Sequence, residues 1–185
     1  MLEKIIKAYD IRGLIKNEIT PDFSFSLGVA FAKFLEIERE PATIVVGEDM
    51  RASSAPLAAA FSDGATSQGM DVIRIGLAST DMLYFASGKL NLPGIMFTAS
   101  HNPAKYNGMK LCKSGAKPIG QESGLLKIRK FIEDLIPSEV DLAVGDANTL
   151  LAIRHYAEAE KSYREVLSLF PGHQEAMVNL AHTLI

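Results

Sequence analysis

Gly94-Ile95-Met96-Phe97-Thr98-Ala99-Ser100-His101-Asn102-Pro103 is the stretch on which the reading of this chain turns. Gly94–Phe97 is a short apolar run, the pattern of a strand covered on both faces of its sheet. It breaks at once into small and polar residues ending in a proline, which makes a stiff loop. Upstream, Thr43-Ile44-Val45-Val46 ending at Gly47 and Val72-Ile73-Arg74-Ile75 ending at Gly76 repeat the strand-and-stop pattern. Helical segments lie between them. Thr20-Pro21-Asp22 places an N-cap and a first-turn proline ahead of a helix to about Glu38, with Phe25, Val29, Ala32 and Leu35 on one face. A second helix starts at Ser53 or Ser54 and stops before Gly69, and a third is capped at Thr80-Asp81 and runs to about Gly88. Lys4–Ile11 and Met109–Lys113 read as further strands and Ser123–Ile136 as a further helix. The alternation predicts an α/β domain with a mixed, largely parallel sheet flanked by helices and right-handed crossovers.

The character changes near Ile136-Pro137-Ser138, which sets domain limits at 1–136 and 137–185. No strand pattern follows. Ala143–Ile153, Tyr156–Phe170 and Gln174–Ile185 all read as helix.

Composition removes several function classes. The chain has 185 residues, 48% of them hydrophobic, and a net charge of −3, so it offers no basic field for nucleic acid. No apolar run approaches the roughly 20 residues of a membrane span, and Met1–Asp10 lacks the apolar core of a signal peptide. A single cysteine, Cys112, rules out an internal disulfide and a cysteine-rich zinc site. A cytoplasmic location is expected.

Three polar clusters stand where strands give way to loops, the usual ligand-binding edge of an α/β sheet. They are Tyr9–Gly13, Gly47–Arg51, and Ser100–Pro103 with Asn107–Lys110. Ser100 follows an apolar strand directly, and His101, Lys110 and Arg12 are the groups available to activate it or to neutralise charge. A serine among Arg, Lys and His with few acids suits phosphoryl transfer better than acyl transfer, because phosphoryl transfer is mostly positioning and neutralisation. No nucleophile elbow is present. Plainer readings stand beside this one. Ser100–Pro103 is also a capped turn, Arg51 beside Asp49 an ion pair bracing a loop, Tyr9 a strand-end core residue, and Cys112 a small buried one.

Lys7-Ala8-Tyr9-Asp10-Ile11-Arg12-Gly13, Val46-Gly47-Glu48-Asp49-Met50-Arg51 and Thr98–Pro103 followed by Tyr106-Asn107-Gly108-Met109-Lys110 together resemble the α-D-phosphohexomutases, of the bacterial phosphomannomutase/phosphoglucomutase type. The resemblance covers about residues 1–136 and implies the first domain of such an enzyme. It implies that Ser100, once phosphorylated, exchanges its phosphoryl group with a hexose phosphate, and that Mg²⁺ bridges the phosphoserine and acidic ligands. Arg12 and Lys110 then match positions that assist proton transfer and stabilise charge. His101 and Tyr9 match substrate- or loop-positioning residues, Asn102, Asn107 and Asp49 brace the loop, and Arg51 is a further substrate- or loop-positioning candidate. The family's Asp-Gly-Asp-Gly-Asp-Arg metal loop, its sugar-binding loop and its fourth-domain phosphate loop do not occur in this sequence. Ser100 is left as a single metal ligand, and the expectation is a chain inactive by itself as a mutase.

His155–Pro171 resembles the second helix of a tetratricopeptide repeat, with Ala159 at the close crossing and Tyr163, Val166 and Leu167 on the buried stripe. The segment amounts to about one and a third repeats, where about three are needed for stability. The resulting expectation is a fragment or chimera whose helical tail self-associates or meets a protein partner. In the alternative functional reading, the whole chain is a binding or assembly module.

Overall fold

The computed structural model describes residues 2–135, together with Arg164 and Leu167, both helical. The tetratricopeptide-like reading of 137–185 therefore lies outside the described residues apart from those two positions. Residues 2–135 lie in the first of the two units into which the chain divides, Met1–Leu135.

The elements run α1 (Leu2–Ile5), β1 (Ile11–Leu14), α2 (Pro21–Ile37), β2 (Thr43–Glu48), α3 (Ser54–Thr66), β3 (Asp71–Leu77), α4 (Thr80–Leu90), β4 (Gly94–Phe97), β5 (Tyr106–Lys113), β6 (Lys117–Pro118) and α5 (Leu126–Leu135). Local chemistry sets most of these limits. Thr20 Oγ1 accepts the Phe23 N–H at 3.1 Å with Pro21 in the first turn, as expected. Ser79, rather than Thr80, caps α4 through the Met82 N–H. A π-helical turn over Gln121–Leu125 leads into α5.

The expected strand over Lys4–Ile11 does not form. Leu2, Ile5 and Ile6 are buried at three- and four-residue spacing, so Leu2–Ile5 closes a helical turn, and beyond an isolated bridge at Ile6 the continuous ladder begins at Ile11. The first polar cluster thus precedes and opens a strand instead of following one.

The sheet order is β1-β5-β4-β2-β3, with β6 on β5. It is mixed but not largely parallel. β2 pairs parallel with β3 and β4, whereas β1–β5, β4–β5 and β5–β6 are antiparallel. The reason is the short link over 98–105, which holds no helix to carry the chain back for a parallel return.

Alternate strand residues serve two cores, which is why β2 and β4 read as unbroken apolar runs. Ile44, Val46, Ile95, Phe97, Met109 and Leu111 join the large core with α2, α3 and α5. Val45 and Met96 face the other way, with Leu83 of α4. In the large core, Phe61 lies 6.1 Å from Phe31 and 5.8 Å, edge-on, from Phe97, tying α2, α3 and β4 together.

Helices α2 and α3 meet through glycines. A Cβ on Gly28 would stand 2.2 Å from the Phe61 carbonyl oxygen, and one on Gly64 would stand 2.1 Å from that of Phe25. At the same crossing Ser24 Oγ donates to the Leu57 carbonyl at 2.7 Å. At the far end of α2, Glu38 receives Lys113 of β5 at 2.6 Å and Lys127 of α5 at 2.8 Å. These hydrogen-bonded ammonium groups hold its carboxyl at about 2, below its ordinary 4.5.

Gly64→Ala should destabilise the fold by about 2 kcal/mol, because overpacking against backbone outweighs the roughly 1 kcal/mol of helix propensity that Ala returns. Gly88→Ala, where the new Cβ meets nothing closer than 3.9 Å, should instead gain up to about 1 kcal/mol. Urea unfolding midpoints of the two variants decide the point. The Glu38 carboxyl is depressed in the folded state, so its stabilisation is complete above about 4.5 and fades as pH falls toward about 2. Glu38→Gln should accordingly be less stable than the parent at neutral pH, and the gap should close on acidification. A gap that stays constant across that range contradicts the assignment.

Candidate active site

The three polar clusters converge on the edge formed by the carboxyl ends of β2 and β4. The Thr98 N–H donates to the Gly108 carbonyl at 2.9 Å, and Gly108 lies opposite Arg12 in the β1–β5 ladder. One rung across the sheet therefore carries Arg12, Gly108 and Thr98. Gly108 is required there, since a Cβ would stand 2.2 Å from the Ile11 carbonyl oxygen. The Asp49 N–H donates to the Phe97 carbonyl at 2.9 Å, which brings the 49–51 segment alongside.

Ser100 lies two residues beyond that rung. It is exposed and has φ of 53°, a left-handed conformation that costs a residue with a Cβ about 1 kcal/mol or more. Its N–H is taken by Thr98 Oγ1 at 2.9 Å. His101 Nδ1 stands 3.5 Å from Ser100 Oγ, alongside the hydroxyl but beyond a well-formed hydrogen bond.

Arg51 holds the loop in this shape. Its Nη2 donates to the carbonyls of Ser100 at 2.8 Å and Asn102 at 2.7 Å, and its Nη1 to those of Pro103 at 3.1 Å and Tyr106 at 3.2 Å. Nε is paired with Asp49 Oδ2 at 3.2 Å. The Asp49 carboxylate also accepts the Arg51 N–H and, at 2.6 Å, the Ser54 hydroxyl. Asn107 is fully buried. It donates to Ser53 Oγ at 2.7 Å and Ser54 Oγ at 3.0 Å while its own oxygen accepts the Gly108 N–H. Asn102 closes a local turn onto the Ala99 carbonyl at 2.8 Å. The start of α3, the 49–51 segment and the serine loop thus form one hydrogen-bonded body. Ser53 and Ser54 belong to it, although their sequence signal was only that of a helix start.

The cations sit on the neighbouring strands. Arg12 and Lys110 are diagonal neighbours on β1 and β5, and both reach Asp10, Arg12 through Nη2 and Lys110 through Nζ at 3.4 Å. Asp10 is the missed member of this group. Tyr9 is not a core residue: it is 82% exposed and borders a cleft of about 580 Å³ with Pro118–Ser123. Cys112 is buried as expected, and burial pushes its thiol up, away from nucleophilic use.

These residues do not by themselves fit Mg²⁺. A hard divalent cation takes about six oxygen ligands, at least one or two of them carboxylates. Asp10 and Asp49 are engaged by cationic partners, and no group of three or more His, Cys, Asp and Glu side chains able to hold a metal occurs among the described residues.

The family model for phosphoglucomutase/phosphomannomutase, alpha/beta/alpha domain I, matches residues 3–137. A phosphomannomutase from Klebsiella pneumoniae is 44% identical over 154 residues, covering 82% of this chain and 96% of that protein. A phosphomannomutase from Escherichia coli is 40% identical over 159 residues, covering 85% of this chain but only 34% of that protein. Both matches take in more of the chain than residues 1–136 contain, so they run past the expected boundary, and the tetratricopeptide reading of the tail gains no support from them. Among solved structures, a phosphoglucomutase/phosphomannomutase family protein from Burkholderia thailandensis superposes with a TM-score of 0.66 at 32% identity, covering 72% of this chain and 30% of that one. The chain thus spans about a third of the length of these last two relatives and nearly all of the first. With the domain model, the fold and the serine loop in agreement, the chain belongs to the phosphoglucomutase/phosphomannomutase family, through that family's domain I.

Proposed function

We propose that this chain is the phosphoryl-carrying domain of a phosphomannomutase/phosphoglucomutase, with Ser100 as the carrier and a hexose phosphate as the partner. The observation that supports it best is the exposed, left-handed Ser100, held by Arg51 one short step from the rung that carries Arg12. In the forward step a new Ser100 Oγ–P bond forms as the sugar O–P bond breaks. The hydroxyl proton leaves Oγ, and the departing sugar oxygen takes up a proton. The reverse step returns the phosphoryl group to the other hydroxyl of the sugar. Arg12 and Lys110 offset the charge on the moving group, and His101 borders it. Arg51 keeps Oγ where attack is in line, since misplacement by about 1 Å costs about a hundredfold in rate. Turnover of the complete mutase cycle and the Mg²⁺ that goes with it are assigned to a protein of the longer relatives' length. This chain alone is expected to show little of either.

Incubation with glucose 1,6-bisphosphate in Mg²⁺ buffer should add one phosphoryl group, seen by intact mass and mapped to Ser100, and Ser100→Ala should add none. No gain in the parent chain, or a gain at another residue, sinks the reading. Arg51→Lys replaces a four-carbonyl fork by a point charge. It should loosen the loop by about 2 kcal/mol, raising hydrogen exchange across 100–107 and leaving Ile95–Phe97 protected. Phosphoryl uptake should slow with it.

A further inference from the structure

Asp10, at 7% exposure, is the only buried charged residue among the described residues. A carboxylate in that position is tolerated only when paired, and here one oxygen, Oδ2, receives both Arg12 and Lys110. The backbone around it is fixed. The Lys7 N–H donates to the Asp10 carbonyl at 2.8 Å, the Gln121 N–H donates to that of Ala8 at 2.9 Å, and Ile6 bridges to Ile11. Asp10 is thus presented from a closed turn and does not trail from a free chain end. The two cations need such a partner. They are diagonal neighbours on one face of an antiparallel pair, where like charges repel.

We propose that Asp10 is a positioning residue, whose carboxylate gathers the Arg12 guanidinium and the Lys110 ammonium into the array that receives the phosphoryl group. The proposal rests on the reading of Ser100 as the phosphoryl carrier. Arg12 spends one nitrogen on Asp10 and Lys110 one proton, which leaves donors of both for the three oxygens of a phosphoryl group. Asp10 touches neither the serine nor the sugar and acts only through these two side chains.

Two variants and two readouts test it. Asp10→Asn keeps the shape and removes the charge, while Asp10→Glu keeps the charge and displaces it. The first readout is the rate of Ser100 phosphorylation by glucose 1,6-bisphosphate, followed by mass as a function of bisphosphate concentration. At saturation the rate should fall about a hundredfold in Asp10→Asn and about tenfold in Asp10→Glu, with unfolding midpoints that do not track the loss. The second is acylation of Lys110 by an amine-reactive ester, with Lys105 and Lys117 as internal standards. It should rise about fivefold in Asp10→Asn and less in Asp10→Glu as a partly exposed ion pair is lost. Saturated rates equal to the parent's, or unchanged Lys110 reactivity, overturn the proposal. If Asp10→Asn does not fold, Asp10→Glu decides by the same measures. If the parent chain takes up no phosphoryl group, the Ser100 reading fails, and Lys110 acylation alone settles whether Asp10 holds the lysine.

Discussion

The link over residues 98–105 is too short to carry a helix, and the geometry of the candidate site follows from that constraint. With no crossover available, β5 must return antiparallel beside β4. That return sets Gly108 against Thr98, and β1, added on the other side of β5, sets Arg12 against Gly108. A parallel β5 would have run in the opposite direction and carried Lys110 away from this edge. The serine and the two cations share an edge because the chain turns back early.

A tight return leaves an irregular loop whose backbone carbonyls find no ladder partners, and such groups need donors. Arg51 supplies them. Four carbonyls from Ser100 to Tyr106 converge on one guanidinium, which Asp49 in turn orients. This makes the left-handed Ser100 affordable, because a conformation costing about 1 kcal/mol or more persists only where its surroundings over-determine it. A guanidinium with Nε on a carboxylate and both Nη atoms on carbonyls has its planar fork committed to the protein, so its work is structural.

How much of this was legible in the sequence depended on how local the cause was. The Thr20-Pro21 cap and the apolar runs of β2 and β4 are set by neighbours in the chain, so the sequence shows them directly. The serine loop was visible because a strand breaking into Thr-Ala-Ser-His-Asn-Pro is itself a local event. Lys4–Ile11 reads as a strand but departs from one, because Leu2, Ile5 and Ile6 satisfy a helical turn at that spacing and only their burial separates the two. The sheet is less parallel than the strand–helix alternation implies because strand direction depends on the length of the 98–105 link. Asp10 carries no signal in the sequence, because its partner at 110 lies a hundred residues away and nothing in Tyr-Asp-Ile-Arg marks it as the buried anion between two cations.

Ser100 and the two cations are held by separate anchors on the two sides of β5. Arg51 fixes the loop that bears Ser100, and Asp10 gathers Arg12 and Lys110. The two anchors share no bond, so their spacing is set by the β4–β5 and β1–β5 ladders alone. Gly108 stands in both ladders, and a Cβ there would strike the Ile11 carbonyl oxygen at 2.2 Å and stand 3.2 Å from that of Thr98. A side chain at 108 would push β1 off β5 and so move Arg12 and Asp10 away from Lys110 and from the serine loop. The closeness of one backbone rung, more than any single charged contact, is therefore what makes the two halves of the site into one.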